Sequence, residues 1–399
     1  MSVRRFPPLF MAALLMAPAA SSHAQDHPFW HTLTAGDHQV GFRRVWTEDP
    51  SRVWPRSPAI DSLAGSVARP LRIDVWYPAT RCSAARMTLR GYLETESPSS
   101  RFDDLVFLTH RWDEYSYRGL AVDSTSFDRL MSTPVAACAD AMPSPGRHPL
   151  VVYSAGWFNR APDNTVLAEY LASHGFVVAA VPQINPGLWT FSFTSDAAGI
   201  ENQVRDLEVA IAALGDDPSV DRRMIAAMGY STGGDVALLL QARNPLIDAV
   251  VGLDASWTLG PGNDVISSDF FLPELHAVPI LALRRPDAER PAADEVLDSL
   301  SFAPRLIVEI AGGDHGTFSD DPVQRLVLDT DTEAHADTHS QMARVARAFL
   351  AEALREGAAP FDGGSLGRRL EQQGVTVRFR APVEPNPDAE PIADPESVP

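Results

Sequence analysis

Residues 224–234 read MIAAMGYSTGG and place one serine, Ser231, at the junction of two predicted elements. The apolar run 224–228 predicts a buried strand, and residues 233–243 predict a helix that begins two positions after the serine. The small residues between them let the chain turn from strand to helix within a few positions. The pattern predicts an exposed, strained nucleophilic serine; the alternative is a glycine-rich turn without chemistry.

Apolar runs and amphipathic segments alternate on both sides of this turn. Continuous apolar strands separated by amphipathic helices are typical of a mostly parallel sheet that helices cover on both faces. The predicted strands are 40–46, 71–77, 150–153, 176–181, 224–228, 249–253, 279–283 and 306–310, and the predicted helices are 163–174, 199–214, 233–243 and 339–355.

The N-terminus differs from this pattern. Residues 1–24 carry Arg4 and Arg5, a short apolar stretch and a small-x-small cleavage pattern, which together predict a signal peptide cleaved after Ala24. The apolar stretch is too short to span a bilayer comfortably. We therefore expect a secreted or periplasmic protein without a stable membrane anchor.

The rest of the chain divides by composition. An α/β domain is predicted over 25–357, interrupted at about 81–146 by an irregular, aromatic-rich insertion or lid. A C-terminal extension, 358–381, could add one strand at 375–379. The tail 382–399 holds six prolines, five acidic residues and no basic one, so it is predicted to be disordered.

Composition excludes several classes of function. All 33 basic residues are arginine, and 52 acidic residues bring the formal charge to −19. Without lysine, Schiff-base chemistry and a Walker phosphate loop are impossible. The acidic excess argues against a nucleic-acid partner. Two cysteines, Cys82 and Cys138, are too few for a structural zinc site, and the sequence does not show whether they meet to form a disulfide.

A nucleophilic serine needs a base and an acid. The best base is His315, in GGDHGTF directly after the last clear strand. Two carboxylates could orient it: Asp254 ends the strand 249–253, and Asp287 follows the next one. Both strand ends face the same edge of the sheet. The sequence favours Asp254 and leaves Asp287 open.

The oxyanion donors are expected to be backbone amides. One is the amide of Thr232, the residue after the nucleophile. The other belongs to the loop after the strand 150–153, which points to Trp157; the alternative is that Trp157 only forms a pocket wall. A further pair, His335 and His339, has metal-ligand spacing, but we interpret this segment as the start of the last helix with Asp337 as its N-cap. No metal or cofactor is expected.

Six segments occur in the same order in the α/β-hydrolases: LRIDVWYP (71–78), the glycine-tryptophan loop, GFVVAAV, GYSTGG, VVGLDASW and GGDHGTF. Over residues 40–355 the chain most resembles the platelet-activating-factor acetylhydrolase and dienelactone-hydrolase-like branch. The acetylhydrolase pattern, with an LDxW segment, implies Asp254 as the acid, whereas the dienelactone-type pattern implies Asp287. The usual histidine-glycine of the oxyanion loop is replaced by Ala155-Gly156, which keeps the backbone amide of the loop but removes the histidine side chain.

This resemblance implies a serine hydrolase of carboxylic esters, with short acyl or lipid-like substrates. The serine nucleophile argues against dienelactone hydrolysis, which the dienelactone hydrolases carry out with a cysteine. Three alternatives remain: a peptidase or amidase on the same residues, a polymer-ester hydrolase, and a catalytically silent binding protein of the same fold.

Overall fold

The computed structural model describes residues 27–55, 66–82, 86–121, 123–157, 160–184, 196–258, 271–286, 291–355, 357 and 361–383. The predicted signal peptide, Asp287 and residues 384–399 of the predicted tail lie outside these residues.

Eleven strands of the described residues form one sheet. Along the sheet the order is β11-β10-β9-β8-β7-β5-β6-β2-β1-β3, and β4 pairs with β2. The central strands β6, β5, β7, β8, β9 and β10 run parallel. The strands are β1 Gln39–Pro55, β2 Ser66–Arg81, β3 Ala137–Ala139, β4 Met142–Pro143, β5 His148–Ser154, β6 Val177–Ala180, β7 Val220–Tyr230, β8 Ala249–Leu253, β9 Ile280–Arg284, β10 Arg305–Glu309 and β11 Thr376–Arg380.

Helices cover both faces of this sheet. Neighbouring residues of one strand enter different cores: Val151 belongs to one apolar cluster and Val152 to the other. This alternation confirms the prediction of a mostly parallel, two-sided sheet. The helices are α1 Leu89–Leu93, α2 Asp103–Leu120, α3 Ser124–Ser132, α4 Thr165–Ser173, α5 Ala197–Ala213, α6 Gly233–Arg243, α7 Pro291–Ser299, α8 Asp321–Val327, α9 Glu333–Ala353 and α10 Gly363–Glu371.

The last long helix, α9, begins earlier than predicted. Its N-cap is Thr332, and Asp337 lies inside the helix, where its carboxylate is 2.8 Å from His31 Nε2. The assignment of Asp337 as N-cap was therefore wrong. The first turn of α9 is Glu333-Ala334-His335-Ala336, of which only Ala336 is fully buried, so the apolar spacing that identified the helix begins only after it.

The insertion at 81–146 is not irregular: it contains α1, α2 and α3. Leu105 and Leu108, one turn apart on α2, are buried, but in the sequence they belong to the continuous apolar run 105–108, which does not show the spacing of a helix. A disulfide joins Cys82 and Cys138, whose Cα atoms are 5.7 Å apart. It closes the segment that contains the three helices.

The C-terminal extension belongs to the same sheet. Strand β11 pairs antiparallel with β10, and α10 packs beside it. No helix among the described residues has the length and apolar character needed to cross a membrane.

Glu169 of α4 is a buried carboxylate that joins distant parts of the chain. It accepts hydrogen bonds from Trp30 Nε1 at 2.8 Å, from the Tyr92 hydroxyl at 2.6 Å and from the Ala136 N–H at 3.0 Å. Burial raises the pKa of Glu169 from 4.5 to about 7. The folded state therefore binds this proton more tightly than the unfolded chain, so Glu169 contributes stability below about pH 4.5 and loses that contribution as the pH rises through about 7.

We expect the free energy of unfolding of the wild type, relative to Glu169→Gln, to fall by about 2 kcal/mol between about pH 5.5 and 8.5. Urea unfolding of both proteins across this range measures the difference, and subtracting the variant removes the contributions of all other groups. A difference that stays constant with pH would show that Glu169 does not titrate there.

Candidate active site

Ser231 lies in the turn between β7 and α6, with a left-handed φ of 53°. Two glycines allow this tight turn. A Cβ on Gly229 would stand 1.8 Å from the carbonyl oxygen of Gly233, and a Cβ on Gly233 would stand 2.2 Å from that of Ser154. The Ser231 N–H donates to Leu253 O at 3.1 Å, which ties the turn to the end of β8. The strained serine predicted from the sequence is therefore present.

His315 faces this serine. Its Nε2 is 3.0 Å from Ser231 Oγ. The Asp314 carboxylate caps the turn that carries the histidine, accepting from Thr317 N at 3.1 Å. The Tyr230 ring stacks on the imidazole with centroids 4.9 Å apart, and its hydroxyl donates to His315 O. These contacts fix the ring while leaving 38% of the side chain exposed.

Asp254 stands on the other side of the imidazole. Its Oδ2 is 2.6 Å from His315 Nδ1, and the residue is fully buried at the end of β8. Because an ionised carboxylate only accepts, Nδ1 is the donor, and the lone pair of Nε2 is left to face Ser231. The structure thus places Ser231, His315 and Asp254 in one hydrogen-bonded row, whereas Asp287 falls outside the described residues.

The predicted oxyanion residues lie on two adjoining segments. Thr232 is the N-cap of α6, and Trp157 follows β5 with 49% of its surface exposed. A Cβ on Gly233 would stand 2.5 Å from Ala155 O, so the loop that carries Trp157 lies directly against the serine turn.

Gln183 supplies hydrogen bonds to this loop, and the sequence did not reveal it. Its buried amide donates from Nε2 to Ser154 Oγ at 3.1 Å and to the carbonyl oxygen of Ala155. The sequence lacks the usual histidine at Ala155, and Gln183 binds the loop there instead. No motif marks this glutamine, because it acts across the sheet from the end of β6.

A buried polar cluster joins the histidine turn to the segment after Trp157. Asn164 Nδ2 donates to Phe318 O at 3.1 Å and to the Tyr153 hydroxyl at 2.7 Å. Asp320 N donates to Asp163 O at 2.8 Å. Burial raises the pKa of Tyr153 well above its usual value, so this phenol stays protonated. These bonds connect the two loops that flank Ser231.

The two histidines considered as metal ligands lie in different environments. His339 is fully buried, with Nε2 3.3 Å from Asp320 Oδ1, whereas His335 is half-buried one turn earlier. Within the described ranges, no cluster of three or more His, Cys, Asp or Glu has the arrangement of a metal site.

Residues 136–254 match the family model described as "Dienelactone hydrolase family". The match begins just before β3, includes Ser231 and ends at Asp254. The solved ferulic acid esterase from Streptomyces cinnamoneus superposes with a TM-score of 0.57 at 22% identity, covering 83% of this chain and 95% of that chain. The fold is that of an α/β-hydrolase. A search of curated proteins finds no match.

This agreement confirms the fold and the resemblance to the dienelactone-hydrolase-like group. The part of the chain that matches the family model has serine at position 231. The likeness to platelet-activating-factor acetylhydrolases stays a prediction from the quoted segments.

Proposed function

We propose that this α/β-hydrolase is an exported serine esterase that cleaves carboxylic esters with short acyl or lipid-like groups. One observation carries the proposal: the hydrogen-bonded row from Ser231 Oγ through both nitrogens of His315 to the buried Asp254 carboxylate. The match to the dienelactone hydrolase family and the esterase named as a structural neighbour support hydrolysis of an ester.

In the first half-reaction, Ser231 Oγ attacks the ester carbonyl carbon and His315 Nε2 takes the hydroxyl proton. Asp254, bonded to Nδ1, stabilises the imidazolium that forms. The oxyanion is held by the amides of Thr232 and Trp157, and the N-terminus of α6 favours the same negative charge. The tetrahedral intermediate collapses, His315 gives its proton to the departing alcohol, and an acyl group remains on Ser231.

In the second half-reaction, water replaces the alcohol. His315 takes a proton from water, the hydroxide attacks the acyl carbon, and a second tetrahedral intermediate forms in the same oxyanion site. The carboxylic acid leaves and Ser231 regains its proton from His315. These steps use only groups of this chain and water.

Export rests on separate features. Residues 1–24 have the composition of a signal peptide, and the Cys82–Cys138 disulfide suits an oxidising compartment. The acidic charge disfavours strongly anionic substrates and selects no particular ester.

The test of the esterase is turnover of p-nitrophenyl acetate and butyrate, together with labelling by a fluorophosphonate probe. The purified chain is expected to hydrolyse both esters and to take the label on Ser231. Ser231→Ala is expected to lose both, whereas Ser132→Ala, at an exposed serine ending α3, is expected to keep both. A p-nitroanilide in the same panel tests whether the protein prefers amides to esters. Methyl ferulate tests whether it prefers aromatic to short acyl groups.

Absence of both turnover and label in the wild type would favour the binding protein of the same fold. Faster cleavage of the anilide than of the esters would favour the peptidase or amidase.

A further inference from the structure

The carboxylate of Asp254 has a second partner that the sequence did not indicate. Arg285, the residue after β9, places Nε 2.8 Å from Asp254 Oδ2, and its backbone N–H lies 3.4 Å from Oδ1. Oδ2 is also the oxygen 2.6 Å from His315 Nδ1. One carboxylate oxygen is therefore shared between an imidazole and a guanidinium.

This sharing changes the charge balance at the site. Asp254 is fully buried, and a buried carboxylate without a compensating charge is costly. A guanidinium is permanently positive, so it offsets the charge of Asp254 whether His315 is neutral or protonated. It also repels a second positive charge on the neighbouring ring. The guanidinium therefore opposes the positive charge that the ring gains when it acts as a base.

Among the described residues, the other polar groups around His315 do not duplicate this effect. Tyr230 stacks from the end of β7, and the Asp314 carboxylate of the histidine's own turn accepts from Thr317. From the start of α8, Asp320 binds the hydroxyl of Thr165.

We propose that Arg285 is a positioning residue of the esterase: it holds Asp254 in place and keeps His315 available as a base at lower pH. This inference rests on the proposed function, because it assigns Arg285 a role only through the Asp254–His315 pair. The arginine need not touch the substrate. Its side chain is 28% exposed, so the guanidinium beside Asp254 is largely shielded from solvent.

The experiment is the pH profile of kcat/KM for p-nitrophenyl acetate in the wild type, Arg285→Gln and Arg285→Lys. In Arg285→Gln the midpoint of the acidic limb is expected to move to higher pH by about 0.5–1 unit, because the positive charge that repels the imidazolium is then removed. Arg285→Lys keeps the positive charge and is expected to return the midpoint close to that of the wild type. KM is expected to change less than kcat.

A matched control removes an arginine from an ion pair elsewhere. Arg369 of α10 pairs with Glu352 at 3.1 Å, and Arg369→Gln is expected to leave the profile unchanged. Thermal unfolding of each variant measures any loss of folding. A smaller folded fraction lowers the whole profile without moving its midpoint, so a shifted midpoint reports on positioning.

The outcomes separate the two proposals. A wild type without turnover contradicts the esterase itself. A wild type that turns over, with an Arg285→Gln profile that superposes on it, leaves the esterase intact and overturns the role of Arg285. An unchanged midpoint with a raised KM for an anionic ester, such as mono-p-nitrophenyl succinate, would overturn it in favour of direct substrate binding.

Discussion

Asp254→Asn is expected to lower kcat/KM for p-nitrophenyl esters by about 10³–10⁴-fold, with KM nearly unchanged. The carboxylate accepts from His315 Nδ1 at 2.6 Å. An asparagine can turn its amide nitrogen toward the ring, which would leave the proton on Nε2 and remove the lone pair that faces Ser231. The variant also loses the negative charge that stabilises the imidazolium. Both effects act on the transition state rather than on binding of the ester.

Asp287→Asn is the matched control, since the sequence places both aspartates after neighbouring strands. We expect it to keep most of the activity. Steady-state rates of both variants, with thermal unfolding to check the folded fraction, decide between them. Loss of activity in Asp287→Asn alone would transfer the role of the acid away from Asp254.

This choice shows where sequence reasoning reaches its limit. The sequence predicts that Asp254 and Asp287 each follow a strand of the sheet, and it does not decide between them. The distance of 2.6 Å between Asp254 Oδ2 and His315 Nδ1 identifies Asp254 as the hydrogen-bond partner. The backbone of Asp254 has a left-handed φ of 40°, and its N–H donates to Leu283 O at 2.8 Å. That conformation depends on the packing of β8 against β9, which no spacing in the sequence encodes.

The sheet and its main helices were predictable because buried residues recur in the sequence at the spacing of a strand or a helix. Strand β8 and helix α6 have the predicted bounds, since each is apolar where it enters the core and ends at a clear boundary. The insertion was wrongly predicted to be irregular. Helices α1 and α3 have only five and nine residues, and α2 carries a continuous apolar run at 105–108, so the sequence shows no long helical repeat there.

The residues that support the site were harder to find for a related reason. Gln183 and Arg285 act on Ala155 and Asp254, 28 and 31 positions away in the chain. Gln183 follows β6, and its partner Ala155 follows β5, the adjacent strand. Arg285 follows β9, and its partner Asp254 follows β8, again the adjacent strand. Such contacts become visible only when the strand order is known.

The second large effect concerns the turn itself. Gly229→Ala is expected to lower the free energy of unfolding by about 2–4 kcal/mol and kcat/KM by about 100-fold or more. A Cβ there would stand 1.8 Å from Gly233 O and 2.5 Å from Gly234 N. Both are backbone atoms of α6, so no side chain can move aside, and the helix start must shift. Gly229 itself pairs with Ser154 and Gly252 on the neighbouring strands, which prevents it from retreating.

Gly119→Ala is the matched control, because a Cβ at Gly119, inside α2, meets no atom within 4 Å. Gly119 is the penultimate residue of α2, so alanine there is expected to stabilise by at most about 0.5 kcal/mol relative to glycine, without a change in activity. Thermal unfolding and p-nitrophenyl acetate turnover of both variants test the pair.

If Gly229→Ala kept the stability and rate of the wild type, the turn would tolerate a shift of α6, and the position of Ser231 would not depend on close contact between backbones. Loss of activity at full stability would instead locate the effect in the displacement of Ser231 from His315, since the row of hydrogen bonds tolerates little change in a 3.0 Å contact.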